Sequence, residues 1–298
     1  MNIPARAAKS GFVDSATPLL FVLLWSTGFI GAKFGLPYAG PMTFLTLRFV
    51  AVLALVLPVA LLMRAPWPDS PRAFLHIAVA GLLVHGVYLS GVFIAIGLGL
   101  PSGIAALIVG LQPLITAFAA GILFGERVSP AQWAGLALGF TGVVLVVAGK
   151  IAAVPGGALF AMLVPAFAAL AGITAGTLYQ KRFCPSFDLR TGAIIQYLPC
   201  LVVMAMLAYL WESMEVTWSG SFVFALAWLV VVLSVGAVAL LNLLIRKGSA
   251  VNVASLFYLT PPATALIAWI MFGETLTGPA LAGMALAAAG VWLARQRS

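Results

Sequence analysis

Charged residues are scarce in this chain: 7% of its 298 residues are Asp, Glu, Lys or Arg, where a soluble domain carries about 25%. So few charges cannot coat a water-facing surface, which excludes a soluble globule. Cysteine is nearly missing, and Cys184 and Cys200 form no disulfide framework or zinc pattern. They read as inert thiols. The acids are Asp14, Asp69, Glu126, Asp188, Glu212, Glu215 and Glu274, all in tails, loops or span ends. None is available at mid-membrane depth to relay protons or hold sodium. Phosphate-binding loops, metal-ligand clusters and nucleophile elbows are also lacking. An ATPase is thereby excluded, and no enzyme, metal or cofactor is expected.

What remains is apolar: 63% of the residues belong to the hydrophobic set. The apolar runs are long and continuous, unlike the alternating strands of an outer-membrane barrel. They fall at about 17–36, 42–63, 74–96, 102–124, 130–148, 156–179, 191–210, 221–245, 250–272 and 279–294. Ten spans of ~20 residues leave no room for a soluble domain. The expected fold is an all-α integral membrane protein. The first run reaches helix length and its pattern recurs later, so it reads as a span and not as a cleaved signal.

The net charge of +8 reports topology and requires no nucleic acid. Ten spans put both termini on one side. With that side inside, Arg6, Lys9, Arg64, Arg72, Arg127, Lys181, Arg182, Arg190, Arg246, Lys247, Arg295 and Arg297 are inner, twelve of the fifteen basic residues. The excess of positive charge on inner loops predicts cytoplasmic termini in a plasma membrane.

A shift of 148 residues, which carries Glu126 onto Glu274, aligns the two halves. Phe124-Gly125-Glu126 falls on Phe272-Gly273-Glu274, Pro113 on Pro261 and Thr116 on Thr264. Between 102–143 and 250–291 there are 16 identities in 42 gapless positions. Each half has five spans, an odd number, so the halves enter the membrane from opposite sides. Inverted repeats of this kind build secondary transporters, with the substrate near the midplane between the halves. The expected organisation is a tail at 1–16, one repeat at 17–148, a second at 156–294 and a tail at 295–298.

The stretches that open with Phe124-Gly125-Glu126 and Phe272-Gly273-Glu274 and run to Val143 and Val291 resemble the ends of two EamA modules of the drug/metabolite transporter superfamily. Trp25-Ser26 in the first span and Arg48-Phe49 with Ala51 in the second resemble it too. Within the family the chain is similar to the YddG-type exporters of aromatic and neutral amino acids. The resemblance implies a cavity lined by spans 1, 3, 4, 6, 8 and 9, with spans 5 and 10 peripheral. It also implies export of a small molecule across the bacterial inner membrane. Exporters of a purine or a cationic compound, and a membrane enzyme or lipid-handling protein, stay open as alternatives. The superfamily's small multidrug-resistance proteins use a glutamate in their first span, which this chain lacks.

Candidate substrate contacts are the polar and aromatic residues at mid-depth: Trp25, His85, Tyr88, Gln112 and Tyr258. His85 is also a candidate proton carrier. Lys33 and Arg48 are expected near the outer mouth, where they attract a carboxylate or phosphate, or snorkel or pair with Glu212, Glu215 or Glu274. Snorkelling or pairing suits Lys33, whereas Arg48 is deeper and suits an inward-facing role. Pro113 and Pro261 sit 11 residues into their spans and leave the carbonyls of Val109 and Phe257 without helical donors. They read as a hinge pair or as static kinks. Small residues at Gly135, Gly139, Gly283, Ala287 and Gly290 suit close helix contact, expected within a monomer in preference to a dimer.

Overall fold

The computed structural model describes residues 5–125, 127–151, 159–272 and 277–294, with the side chains of 5–15, 103, 147–151, 159, 268, 271 and 272 outside that set. Glu126, Glu274 and the tail arginines Arg295 and Arg297 lie outside the described residues.

The described residues form ten apolar helices. They are α1 (Ala5–Gly35), α2 (Pro41–Leu62), α3 (Pro71–Gly97), α4 (102–124), α5 (Pro130–Ile151), α6 (Leu159–Phe183), α7 (Leu189–Trp211), α8 (Gly220–Lys247), α9 (250–272) and α10 (Gly278–Ala294). Eight of them are long and apolar enough to cross a membrane, and α5 and α10 complete the set as shorter apolar helices. The face where α1 ends and α2 begins is termed outer here, after the orientation expected from the basic residues.

Local chemistry sets the boundaries. Pro41, Pro71 and Pro130 open their helices, where a missing N–H costs nothing. Ser70, Asp188, Ser219 and Ser249 cap N-termini by accepting from backbone N–H groups. Ser129 and Gln132 form a reciprocal capping box before α5. Gly125 ends α4 with φ 66°, a left-handed conformation natural to glycine.

The repeats interlock pairwise: α2 packs on α7, α3 on α6, α5 on α10, and α1 against α8 and α9. Glycine makes the α5–α10 contact possible. A Cβ on Gly290 would sit 2.4 Å from the Gly139 nitrogen, and one on Gly142 2.5 Å from the Ala287 nitrogen. The small-residue stripes therefore close on each other inside one chain. Large side chains such as Phe160 and Trp211 face outward, as expected where lipid is the solvent.

Four spans are irregular at depth, in two pairs related by the repeat. α3 carries a π segment at Leu82–Val87 and α8 one at Leu229–Ala237. α4 breaks at Gly110 and Leu111, between Ser102–Val109 and Gln112–Phe124. α9 passes through a 3-10 turn at Leu256–Leu259 before Thr260–Phe272. Such interruptions in spans are tolerated where protein or a cavity meets the freed backbone groups.

Candidate substrate site

The four irregular spans surround the middle of the molecule, and there a small cavity lies between α1, α2, α3 and α8. It is lined by Trp25, Phe29, Arg48, His85, Tyr88 and Leu233, among others. Its volume is about 30 Å³, enough for a water or two and far below the ~300–1,000 Å³ of a ligand pocket. A metabolite fits there only when the surrounding helices part.

Arg48 is the charge in this cavity. It lies two turns into α2 and is 3% exposed. Its Nε donates to Ser234 Oγ at 2.9 Å, and among the described residues no carboxylate pairs with it. Ser234 belongs to the π segment of α8, and its carbonyl accepts from Tyr197 Oη at 3.2 Å. The Tyr197 ring stacks on His85 with centroids 4.4 Å apart. His85 in turn lies 3.4 Å from Gln196 Oε1 through Nε2. From Gln196 a buried amide chain continues to Gln180 at 3.1 Å and Asn242 at 2.8 Å. Each link joins different helices, and the links made by Arg48 and His85 join the first repeat to the second.

The aromatic wall is built by α1, α3 and α9. Trp25 and Tyr88 stack nearly parallel, 6.0 Å apart at 12°. Phe257 meets Trp25 edge-on at 5.5 Å. These flat apolar faces beside a guanidinium suit a molecule with an anionic end and an apolar or aromatic body.

Of the residues singled out from sequence, the structure gathers Trp25, His85, Tyr88 and Arg48 into one cavity. Arg48 and Lys33 part company, Arg48 taking the deeper, inward-facing position of the two. Lys33 is exposed at the end of α1, whereas Arg48 points inward to Ser234. Gln112 lies lower, beside α6, where its Nε2 donates to Thr177 Oγ1 at 3.2 Å. Tyr258 is fully buried against Gly139 of α5 and does not reach the cavity. Sequence reading passed over Ser234, Gln196, Tyr197, Gln180 and Asn242. The shift of 148 does place Gln196 on Arg48, a polar pair that marks this centre.

Pro113 and Pro261 each occupy the second position of the half-helix that follows a break. They start a helix after an interruption and do not kink a continuous one. No group of three or more His, Cys, Asp or Glu able to hold a metal occurs among the described residues.

The model of the EamA-like transporter family matches residues 16–148 and again 156–296. The chain belongs to this family. An EamA-like transporter is a multi-pass membrane protein, and the two matched segments coincide with the two sets of five helices. A probable amino-acid metabolite efflux pump of Salmonella typhimurium is 27% identical over 297 residues, covering 96% of this chain and 94% of that one. The uncharacterized inner membrane transporter YedA of Escherichia coli K12 is 27% identical over 256 residues, with 86% and 81% covered. A solved crystal structure superposes with a TM-score of 0.74 at 23% identity, covering 94% of this chain and 96% of that chain. That last likeness concerns the fold alone.

Proposed function

We propose that this EamA-like transporter exports zwitterionic amino acids, aromatic ones included, by alternating access across the bacterial inner membrane. Its termini are cytoplasmic in this reading, as the basic residues of the inner loops suggest. One observation carries the substrate class: a buried guanidinium lines the central cavity with a single hydroxyl as its hydrogen-bond partner among the described residues. An uncompensated buried charge costs several kcal/mol, and a substrate carboxylate offsets that cost through charge-assisted hydrogen bonds. Trp25 and Tyr88 offer ring faces to an apolar or aromatic side chain. The relatives named as amino-acid metabolite efflux pumps support the same class.

The positive field of Arg48 disfavours a cationic compound in this cavity. A purine lacks the carboxylate the guanidinium calls for. Membership of the EamA-like transporter family favours transport over a membrane enzyme or a lipid-handling protein. The test is counterflow in proteoliposomes over a panel of labelled amino acids, nucleosides and organic cations. Amino acids should exchange and the other two classes should not. Exchange of cations or nucleosides without amino acids would overturn the substrate class, and no exchange of any solute would overturn transport.

A further inference from the structure

A groove of about 730 Å³ lies between α4 and α6, away from the central cavity. Its walls are apolar, with Ile115, Ala119 and Ile122 from α4 facing Phe167, Ala171 and Leu178 from α6. Ile122 and Phe167 are 72% and 47% exposed, so the groove opens sideways toward lipid. At its inner end stands Arg182. Arg182 is exposed and makes no hydrogen bond or ion pair with the described residues.

The other repeat shows what a closed groove looks like. Shifting Ala119, Ala175, Leu178 and Arg182 by 148 residues gives Ile267, Thr27, Ile30 and Phe34, which line a cavity of only about 100 Å³. There Trp228 fills the space and its Nε1 donates to Thr27 Oγ1 at 2.9 Å. The seam beside it is latched, with Thr264 Oγ1 donating to the Ser26 carbonyl at 3.2 Å. On the α4–α6 side the counterparts Thr116 and Thr174 hold buried hydroxyls with no partner among the described residues. The hydrogen bond that latches the other side is not made here among the described residues, and the counterpart of Arg182 at the outer end is Phe34.

We propose that the α4–α6 groove is a phospholipid site. An acyl chain lies between the two helices, and Arg182 binds the phosphate of an anionic headgroup. The volume falls within the range of specific ligand sites. A guanidinium at the interface matches phosphate in charge and geometry, and basic pockets between spans recognise anionic headgroups.

The test is native mass spectrometry of the purified full-length protein with phosphatidylglycerol and phosphatidylcholine supplied together. The wild type should retain one phosphatidylglycerol, with roughly tenfold preference over phosphatidylcholine, a gap of ~1.4 kcal/mol. Arg182→Gln is a change at an exposed position and should erase that preference. Ala171→Trp and, separately, Ala175→Phe should plug the groove as Trp228 plugs its counterpart, and either should release the retained lipid. Thermal unfolding verifies that each variant is folded. Preference unchanged in Arg182→Gln, or lipid retained in both folded plug variants, would overturn the assignment. Neither outcome depends on which metabolite the central cavity takes.

Discussion

Arg48 Nε lies 2.9 Å from Ser234 Oγ, and this bond joins α2 to the π segment of α8. A π segment carries one extra residue per turn and turns a side chain off the regular helical face. Here that brings Ser234 to Arg48, while the matching segment of α3 brings His85 onto Tyr197. Two rearranged turns, one per repeat, thus converge on a single buried charge. A rearrangement that parts these helices changes what the charge meets.

His85 tests the energy source. No carboxylate is available at mid-depth among the described residues, so transport is expected to run down the substrate gradient, with His85 the sole candidate for weak proton coupling. In proteoliposomes the wild type should equilibrate amino acid without an imposed pH gradient. Any accumulation driven by that gradient should vanish in His85→Ala. Equal uphill accumulation in wild type and variant would rule out both forms of the idea.

Pro113 and Pro261 test the hinges. Alanine at either position restores a backbone N–H. The Phe257 carbonyl, expected to lack a donor, already accepts from the Thr260 N–H in the 3-10 turn. The substitutions therefore act by favouring regular helical pairing that fuses the broken halves of α4 or α9. Because the repeats are inverted, the two substitutions should bias the inward- and outward-open states in opposite directions. A bias of ~1–2 kcal/mol changes occupancy about tenfold. Cysteines at the outer and inner mouths, labelled in each variant, report it. Accessibility unchanged on both sides, with transport intact, would leave the prolines as static helix starts.

Much of this fold was readable before any coordinates. Runs of ~20 apolar residues and the shift of 148 gave ten helices in two inverted repeats, because span length and internal likeness are coarse signals. Facing was harder. The helices are apolar nearly all round, so periodicity does not separate the side that meets protein from the side that meets lipid. Depth along the span separates the inward Arg48 from Lys33, but it does not tell that Tyr258 packs on α5 and not in the cavity. The π segments left no mark in composition. Ser234 and Asn242 stand alone in apolar runs, and only their partners across helices identify them.

The α5–α10 contact should be intolerant of a single methyl group. Gly290→Ala places a Cβ against the Gly139 backbone, which cannot rotate away. Overpacking of this kind costs about 1–3 kcal/mol. Gly278→Ala is the control, since its Cβ would meet nothing within 4 Å. Thermal unfolding in detergent should show a lowered midpoint for Gly290→Ala alone. Equal midpoints would mean the helices do not pack this way.

The inner loop before α7 carries a pH-dependent contact. The Arg190 guanidinium bonds the Asp188 carboxylate and, with the cap to the Arg190 N–H, holds its pKa down at about 2. A depressed carboxylate adds stability above its ordinary value of 3.8, and loses it as pH falls through about 2. The pair is solvent-screened, so the effect is small. Asp188→Asn should lower the unfolding midpoint slightly at pH 7. The gap to wild type should narrow progressively below pH 3.8. A gap that widens on acidification would contradict the contact.

The central claim is that Arg48 is present for the substrate and not for the fold. Replacing a buried, poorly paired charge with an apolar side chain of similar length is often neutral or stabilising. Arg48→Met should therefore keep or raise the unfolding midpoint while abolishing amino-acid counterflow. The decisive measurement is counterflow of labelled phenylalanine in this variant beside the wild type, with folding verified in the same preparations. Exchange should fall at least a hundredfold, in line with ~3 kcal/mol for a lost charge-assisted contact. A folded Arg48→Met protein that exchanges phenylalanine at the wild-type rate would contradict the account.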